Sequence, residues 1–302
     1  MRMTTRFRRL LEAPEILAMP GVHDALSARI AAQAGFAAIT MGGFAASGSL
    51  LGEPDSSQLG LQELADHYAR VVDASGLPVL ADADTGFGNV TNVRRAVRAY
   101  ERAGVAGMFI EDQAFPKRCG HTPGKAVVPI EDMLAKLKAA LFARQDRDLV
   151  IMARTDALAV VGVEEAIHRA CLFREAGADL LFVEAPRTAE EMRRICRDVG
   201  GLHLANMIEF GHSPDLTASQ LQVIGFAACV WPVSSVLVMT RALQELYSAL
   251  ARSGTTQTMK DRMVRFDDYM SCVGLPDLRR REQHYLDQAA RLAREPKARN
   301  LA

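Results

Sequence analysis

A short cassette recurs along this chain and constrains its fold more than any other feature. An amphipathic helical stretch ends at glycine, and a short apolar run follows. Gln33-Ala34-Gly35 precedes Phe36 to Thr40, Ala103-Gly104 precedes Val105 to Ile110, and Ala176-Gly177 precedes Ala178 to Val183. Glycine accepts the left-handed backbone that closes a helix, and an apolar run without alternation fits a strand buried on both faces. Further runs at Ile16 to Met19, Pro78 to Ala81, Leu149 to Ala153, His203 to Ala205 and Phe226 to Val230 bring the strand candidates to eight. Helical segments such as Asn92 to Ala103 and Val163 to Ala176 separate them. Eight such units in about 230 residues predict an α/β fold, a (β/α)8 TIM-type barrel, over residues 1–254. From Thr255 the chain turns polar and helical, which predicts a C-terminal helical extension of the same domain over 255–302.

The bulk numbers exclude several classes of function. Lys and Arg number 36 and Asp and Glu 36, so no net field favours nucleic acid or a membrane surface. Hydrophobic residues at 49% suffice for one core, and no apolar run approaches the roughly 20 residues that span a bilayer. The start, Met1 to Arg9, is basic but lacks an apolar signal segment. The 5 cysteines are widely spaced with no CxxC, which predicts reduced thiols in a cytoplasmic protein.

Barrels of this kind place their chemistry at the carboxyl ends of the strands. Those ends carry His23-Asp24, Gly42-Gly43, Asp82-Ala83-Asp84, Glu111-Asp112, Arg154-Thr155-Asp156, Glu184, Asn206 and Ser234. Helix caps account for one or two polar residues there, not for all of them. Asp82, Asp84 and Glu111 are hard oxygen donors without His or Cys, a set suited to Mg²⁺ or Mn²⁺; structural salt bridges are the alternative. Arg154 offers a planar fork for a carboxylate, and an ion pair with Asp156 or Glu184 is compatible with that role. Gly42-Gly43 resembles an anion cradle. In Lys117-Arg118-Cys119-Gly120-His121 a thiol stands among cations, which favour thiolate and proton exchange near neutral pH; an ordinary loop cysteine in a solvated charge cluster is the alternative. Cys171, Cys196 and Cys272 read as helix packing, Cys229 as core, and His67, His168 and His284 as helix surface. Trp231 lines the pocket or wedges the barrel wall.

Taken together, Asp82 to Gly88, Glu111-Asp112-Gln113, Lys117 to His121, Ala153 to Asp156 and Val183 to Pro186 resemble the isocitrate lyase/phosphoenolpyruvate mutase superfamily, on its lyase side. The match runs from about Ile16 to about Tyr269, and Glu184-Ala185-Pro186 with Asn206 to Glu209 look more like dimethylmalate lyases and petal-death-type proteins than methylisocitrate lyases. The resemblance implies Mg²⁺-dependent (Mn²⁺ possible) cleavage of a 2-hydroxy, alkylmalate-type dicarboxylate to pyruvate or another 2-oxoacid plus a monocarboxylate. It implies metal at Asp82, Asp84 and Glu111, catalysis by Lys117, Cys119, His121, Arg154 and Glu184 with Cys119 as general acid, and substrate contacts at Gly42, Gly43, Phe44, Asp55, Gly120, Asn206 and Ser234. Residues Lys117 to Lys125 form a lid in this reading. It further implies a homo-oligomer, a tetramer that exchanges C-terminal helices. Two positions depart from the pattern of relatives that cleave methylisocitrate: Leu237 and Phe266 stand where those enzymes carry arginines. Thr40 replaces an aromatic, and Gly42-Gly43-Phe44 replaces Ser-Gly. Oxaloacetate hydrolysis with Ser234 holding the hydrated keto group, methylisocitrate cleavage, a phosphonate mutase and a silent dicarboxylate-binding barrel are the rival readings.

Overall fold

The computed structural model describes residues 1–120, 122 and 124–294. Within the first compact unit, Met1–Ala242, eight strands follow one another: β1 Leu17–Pro20, β2 Ile39–Met41, β3 Val79–Asp82, β4 Gly107–Glu111, β5 Val150–Thr155, β6 Leu180–Val183, β7 Leu204–Asn206 and β8 Ala228–Trp231. All eight predicted runs are strands. Two parallel ladders, β2-β3-β4-β5-β6 and β7-β8-β1, are joined by the single parallel bridges Gly21↔Thr40 and Leu181↔His203. These bridges complete a (β/α)8 ring in sequence order. Every strand except β1, where Ala18 and Pro20 are half-buried, and the last residue of β8 is buried along its length, as parallel strands covered by helices require.

Helices Val90–Ala103 and Val163–Ala176 end at Gly104 (φ 83°) and Gly177 (φ 104°), the left-handed terminators expected from the cassette. The amino-terminal mouth of the ring is stoppered by helix Met3–Leu11. Its Phe7 and Leu11 pack against Leu17, Met19, Phe109 and Val150. Gly107 permits this, since a Cβ there would lie 2.9 Å from the Phe7 ring. Arg8 pairs with Asp179 at 3.0 Å on the rim of the stopper. One expectation is corrected here. His67 is not on a helix surface but 5% exposed, with Nε2 2.9 Å from the His23 carbonyl, because helix Leu61–Ser75 turns Leu64, His67, Tyr68 and Val71 inward together.

The second unit, Leu243–Ala302, contains helices Phe266–Cys272 and Leu275–Arg294, in which no side chain is buried. Along the latter, Leu278, Tyr285, Leu286 and Leu292 are 45% to 71% exposed at spacings that share a helix face. No helix of the described residues is long and apolar enough to cross a membrane.

His203 sits at the bridge that joins β6 to β7, 1% exposed, with Nε2 2.9 Å from the Gly200 carbonyl. Burial lowers its pKa from 6.5 to about 4. The unfolded chain therefore binds a proton that the folded chain refuses between those values, and stability is complete above pH 6.5 and falls as pH drops toward 4. The expected loss is on the order of 3 kcal/mol. Urea unfolding of His203→Asn across this window should show that much less acid sensitivity than the wild type; equal pH slopes in both would remove His203 from the account.

Candidate active site

The carboxyl ends of the strands converge on one cavity lined by Thr40, Gly42, Gly43, Phe44, Asp55, Asp82, Lys117, Cys119, Gly120, Arg154, Glu184 and Asn206. Apolar side chains supply the rest of its wall, Leu80, Phe109, Met152, Phe182, Leu204 and Val230 from the strands, and Ile208, Pro232 and Val233 at the rim.

One side of the mouth is an acidic corner. The Asp82 carboxylate accepts from the Gly43 amide (2.8 Å) and from the Asp84 amide (2.8 Å). That second bond holds Asp84 at φ 48°, a left-handed backbone that a non-glycine residue adopts only when its surroundings enforce it. Tyr68 and Tyr100 fix the Asp82 backbone from behind: the Asp82 amide donates to the Tyr68 hydroxyl (2.6 Å), and the Tyr100 hydroxyl donates to the Asp82 carbonyl (2.8 Å). Into this corner Lys117 projects from the loop after β4. Its Nζ lies 2.9 Å from Asp55, 2.7 Å from Asp84 and 3.8 Å from Asp82, with the side chain 2% exposed. Burial alone would lower the Lys117 pKa, but Asp82, Asp84, Glu111 and Asp55 raise it well above the ordinary lysine value. Burial raises Asp84 to about 6 although Lys117 opposes it. Glu111 is fully buried, neither of its carboxylate oxygens accepts a hydrogen bond, and burial pushes its pKa well up.

Arg154 organises the opposite side. Strand pairing sets it beside Glu111, with Nε 3.3 Å from Glu111 and 2.8 Å from Asp156, and Nη1 3.1 Å from Glu184. Its guanidinium carbon lies 5.1 Å from the centre of the Phe182 ring. Both expected ion-pair partners are therefore present at once. Asn206 donates to both Glu184 oxygens (3.2 and 3.3 Å), while its Oδ1 carries no hydrogen bond. Gly120 lies over this group, and a Cβ there would overlap the Arg154 guanidinium and come within 2.6 Å of Glu184 Cγ.

The structure thus gathers Asp55, Asp82, Asp84, Glu111, Lys117, Cys119, Gly120, Arg154, Glu184 and Asn206 at one mouth. His121 lies outside the described residues. Gly42-Gly43 differs from the open cradle expected: Gly43 begins helix Gly43–Leu50 and its amide is taken by Asp82, so the next amides of that first turn, Phe44 and Ala45, are the ones without intrahelical acceptors. Ser234 is not part of the cavity wall, where Pro232 and Val233 stand instead; its hydroxyl donates to Glu209. Trp231 borders the loop from Met207 to Asp215 rather than the central cavity. The sequence reading missed Tyr68 and Tyr100, and it missed Lys125, which reaches Asp156 at 2.7 Å. It also missed Arg169, which pairs with Asp112 at 3.1 Å behind the site. All four sit on helices or loops, where only the spatial neighbour reveals the role.

Six carboxylates with side chains under a tenth exposed (Asp55, Asp82, Asp84, Glu111, Asp156, Glu184) surround three equally enclosed cations, Lys117, Lys125 and Arg154. With all six ionised, three negative charges would lack a cation among these side chains; burial instead favours protons on Glu111 and Asp84, which a divalent cation would replace. Among the described residues, no three His, Cys, Asp or Glu side chains close on one point as ligands to a bare ion. Glu111, whose buried carboxylate oxygens accept no hydrogen bond, and the neighbouring Asp82 and Asp84 are hard oxygen donors that would suit Mg²⁺ or Mn²⁺.

This is an α/β-barrel enzyme site, with a thiol, two cavity-lining cations and an acidic corner at the strand ends. The chain belongs to the phosphoenolpyruvate mutase/isocitrate lyase superfamily, as the family described as phosphoenolpyruvate phosphomutase matches residues 7–251. It is 42% identical to 2,3-dimethylmalate lyase of Eubacterium barkeri over 94% of this chain and 99% of that protein. It is 44% identical to the chloroplastic carboxyvinyl-carboxyphosphonate phosphorylmutase of Arabidopsis thaliana over 91% and 82%. Among solved structures, 2,3-dimethylmalate lyase superposes with a TM-score of 0.89 at 34% identity, covering 94% of this chain and 96% of that one. Oxaloacetate acetylhydrolase with 3,3-difluorooxalacetate gives 0.89 at 33%, covering 93% and 96%.

Removing the Lys117 charge would strand the carboxylates around it. Lys117→Met should cost about 3–5 kcal/mol in unfolding free energy, the usual penalty for breaking a buried pair. Chemical denaturation with chelator present checks this, and unchanged stability would show that the corner is neutralised by protonation instead.

Proposed function

We propose that this chain is a carbon–carbon lyase that cleaves a 2-hydroxy dicarboxylate of the 2-alkylmalate type to pyruvate or another 2-oxoacid plus a monocarboxylate. One observation carries the reading: the cavity presents Lys117 and Arg154 as its only lining cations among the described residues, and the remainder of its wall is largely apolar. A third substrate carboxylate would be desolvated without a partner, which is expensive. Alkyl groups, by contrast, meet Leu80, Phe109, Phe182, Ile208 and Val233.

Arg154, held by Asp156 and Glu184, binds and orients the carboxylate that stays with the 2-oxoacid, together with the first amides of helix Gly43–Leu50. A divalent cation at Asp82, Asp84 and Glu111 would act as a Lewis acid on the C2 oxygen that becomes the keto group. Loss of the C2 hydroxyl proton and cleavage of the C2–C3 bond leave the electron pair on the departing acid as its enediolate. Lys117, fixed as a cation among carboxylates, stabilises that charge. Cys119, on the cavity wall beside Gly120, gives the carbanion its proton as general acid. His121 shares the enediolate role in this reading.

Phosphonate chemistry needs no such proton donor, so the Cys119 loop favours cleavage of carbon–carbon bonds over a mutase. The rim favours a lyase over an oxaloacetate hydrolase. Pro232 and Val233 offer no hydroxyl to a hydrated keto group, and the Thr40 hydroxyl is given to the Leu80 carbonyl at 3.0 Å. The exposed apolar face of helix Leu275–Arg294 supports self-association, which we propose yields a homotetramer. Five widely spaced cysteines with no CxxC support a cytoplasmic location.

The test is 2-oxoacid release from 2,3-dimethylmalate, coupled to lactate dehydrogenase, with and without Mg²⁺ and with methylisocitrate and oxaloacetate alongside. Mg²⁺-dependent release that is fastest from dimethylmalate is expected, and faster turnover of either other substrate would overturn the assignment. Cys119→Ser should retain Mg²⁺ binding by calorimetry and lose at least about 10²-fold in kcat, the scale of one general-acid contribution. Full activity in that variant would remove the thiol from the mechanism.

A further inference from the structure

The stems of the Cys119 loop are zipped together. The Ala114 amide donates to the Ala126 carbonyl (2.8 Å), and the Val128 amide donates to the Asp112 carbonyl (2.8 Å). Gln113 then braces the ascending side, accepting from the Arg118 amide (3.0 Å) and donating to the Arg118 carbonyl (2.9 Å). On the descending side, Lys125 turns inward until its side chain is 4% exposed. Its Nζ donates to the Gly120 carbonyl (2.5 Å) and to Asp156 Oδ1 (2.7 Å). Asp156 Oδ1 also accepts from Arg154 Nη2 (3.1 Å), and its Oδ2 accepts from Arg154 Nε (2.8 Å). The carboxylate itself is fully buried. It is fixed from behind by Asp112, which accepts from the Asp156 amide (2.9 Å) and the Thr155 hydroxyl (2.7 Å). Asp112 is in turn held by Arg169 (3.1 Å), which also donates to the Val128 carbonyl at the loop stem (2.9 Å).

We propose that Asp156 is a positioning residue that ties the Cys119 loop to Arg154, one buried carboxylate accepting both from Lys125 of the loop and from the guanidinium that faces the substrate. Neither Asp156 nor Lys125 lines the cavity, so neither meets the reacting atoms. Their shared contact makes seating of Gly120 and Cys119 over the site and orientation of the Arg154 fork a single event. When Lys125 leaves, the Gly120 carbonyl loses its tether, and Oδ1 keeps only Arg154. Chemistry that needs Cys119 near the departing carbon and Arg154 on the retained carboxylate then depends on a conformation that is only partly populated. Substrate affinity falls by that fraction, while saturating substrate restores the seated loop.

The inference rests on the proposed lyase reading only for its kinetic readout, so the experiment has an arm that needs no turnover. Trypsin cleavage after Arg118, located by mass spectrometry, reports whether the loop is seated. Lys125→Met should speed that cleavage at least about tenfold and raise KM by a similar factor with kcat nearly kept, as a population shift requires. Lys125→Arg should restore protection. Asp156→Asn should speed cleavage as Lys125→Met does and also lower kcat, because Arg154 loses its orientation, and the double variant should be cleaved no faster than Lys125→Met alone. Wild-type cleavage rates in Lys125→Met would overturn the link. Loss of activity in Asp156→Asn with cleavage unchanged would reduce Asp156 to a support for Arg154 alone. If no substrate turns over in the wild type, the lyase reading fails while the cleavage comparison still decides the link.

Discussion

Lys117 and Arg154 carry the positive charges around which the mouth of the barrel is organised. A carboxylate removed from water without a partner costs several kcal/mol, so Asp55, Asp82, Asp84, Asp156 and Glu184 are tolerable only because these side chains, with Lys125, reach them. The consequence is visible in the proton affinities. Burial alone would raise Asp156, but Arg154 and Lys125 hold it at about 2, whereas burial raises Asp84 to about 6 and pushes the unbonded Glu111 well up. The cost of burial is therefore offset at Asp156 but not at Asp84 or Glu111, two of the donors for a divalent cation.

That electrostatic division is set up by strand geometry. Pairing of β4 with β5 brings Glu111 beside Arg154, and the next residues, Asp112 and Thr155, turn away from the cavity to meet each other. Alternation along a strand thus assigns neighbouring residues to two jobs, one facing substrate and one bracing the scaffold. Tyr68 and Tyr100 brace β3 in the same manner, locking the backbone of Asp82 while its carboxylate faces the mouth. Rigid support of this kind is what allows a small number of charged groups to be held where charge develops in a reaction.

The chain itself discloses the barrel because parallel strands buried on both faces leave uninterrupted apolar runs, and because Gly104 and Gly177 mark helix ends. It discloses the residues that end the strands for the same reason: polar side chains directly after an apolar run have only the mouth to occupy. What it hides depends on distance. Nothing local distinguishes Arg169 or Lys125 from a solvated helix or loop cation, since the partner of each lies 57 or 31 residues away. His67 looks like a surface residue among Gln62, Glu63, Asp66 and Arg70 of its helix, yet the inward face carries it to the His23 carbonyl. The amide of Gly43 is spent on Asp82, and Ser234 faces Glu209, because helices begin at these positions and rotate the groups away from the paths an extended loop would give.

Trp231 gives the molecule an unplanned property. It is the sole tryptophan of the chain, half-buried at the end of β8, with Val230 before it and Pro232 after it on the cavity wall and the Met207 to Asp215 loop against its other side. Intrinsic indole emission from this protein therefore comes from one corner of the mouth and from nowhere else. Any event that moves the rim is written into a single fluorophore, without a label and without background from the core.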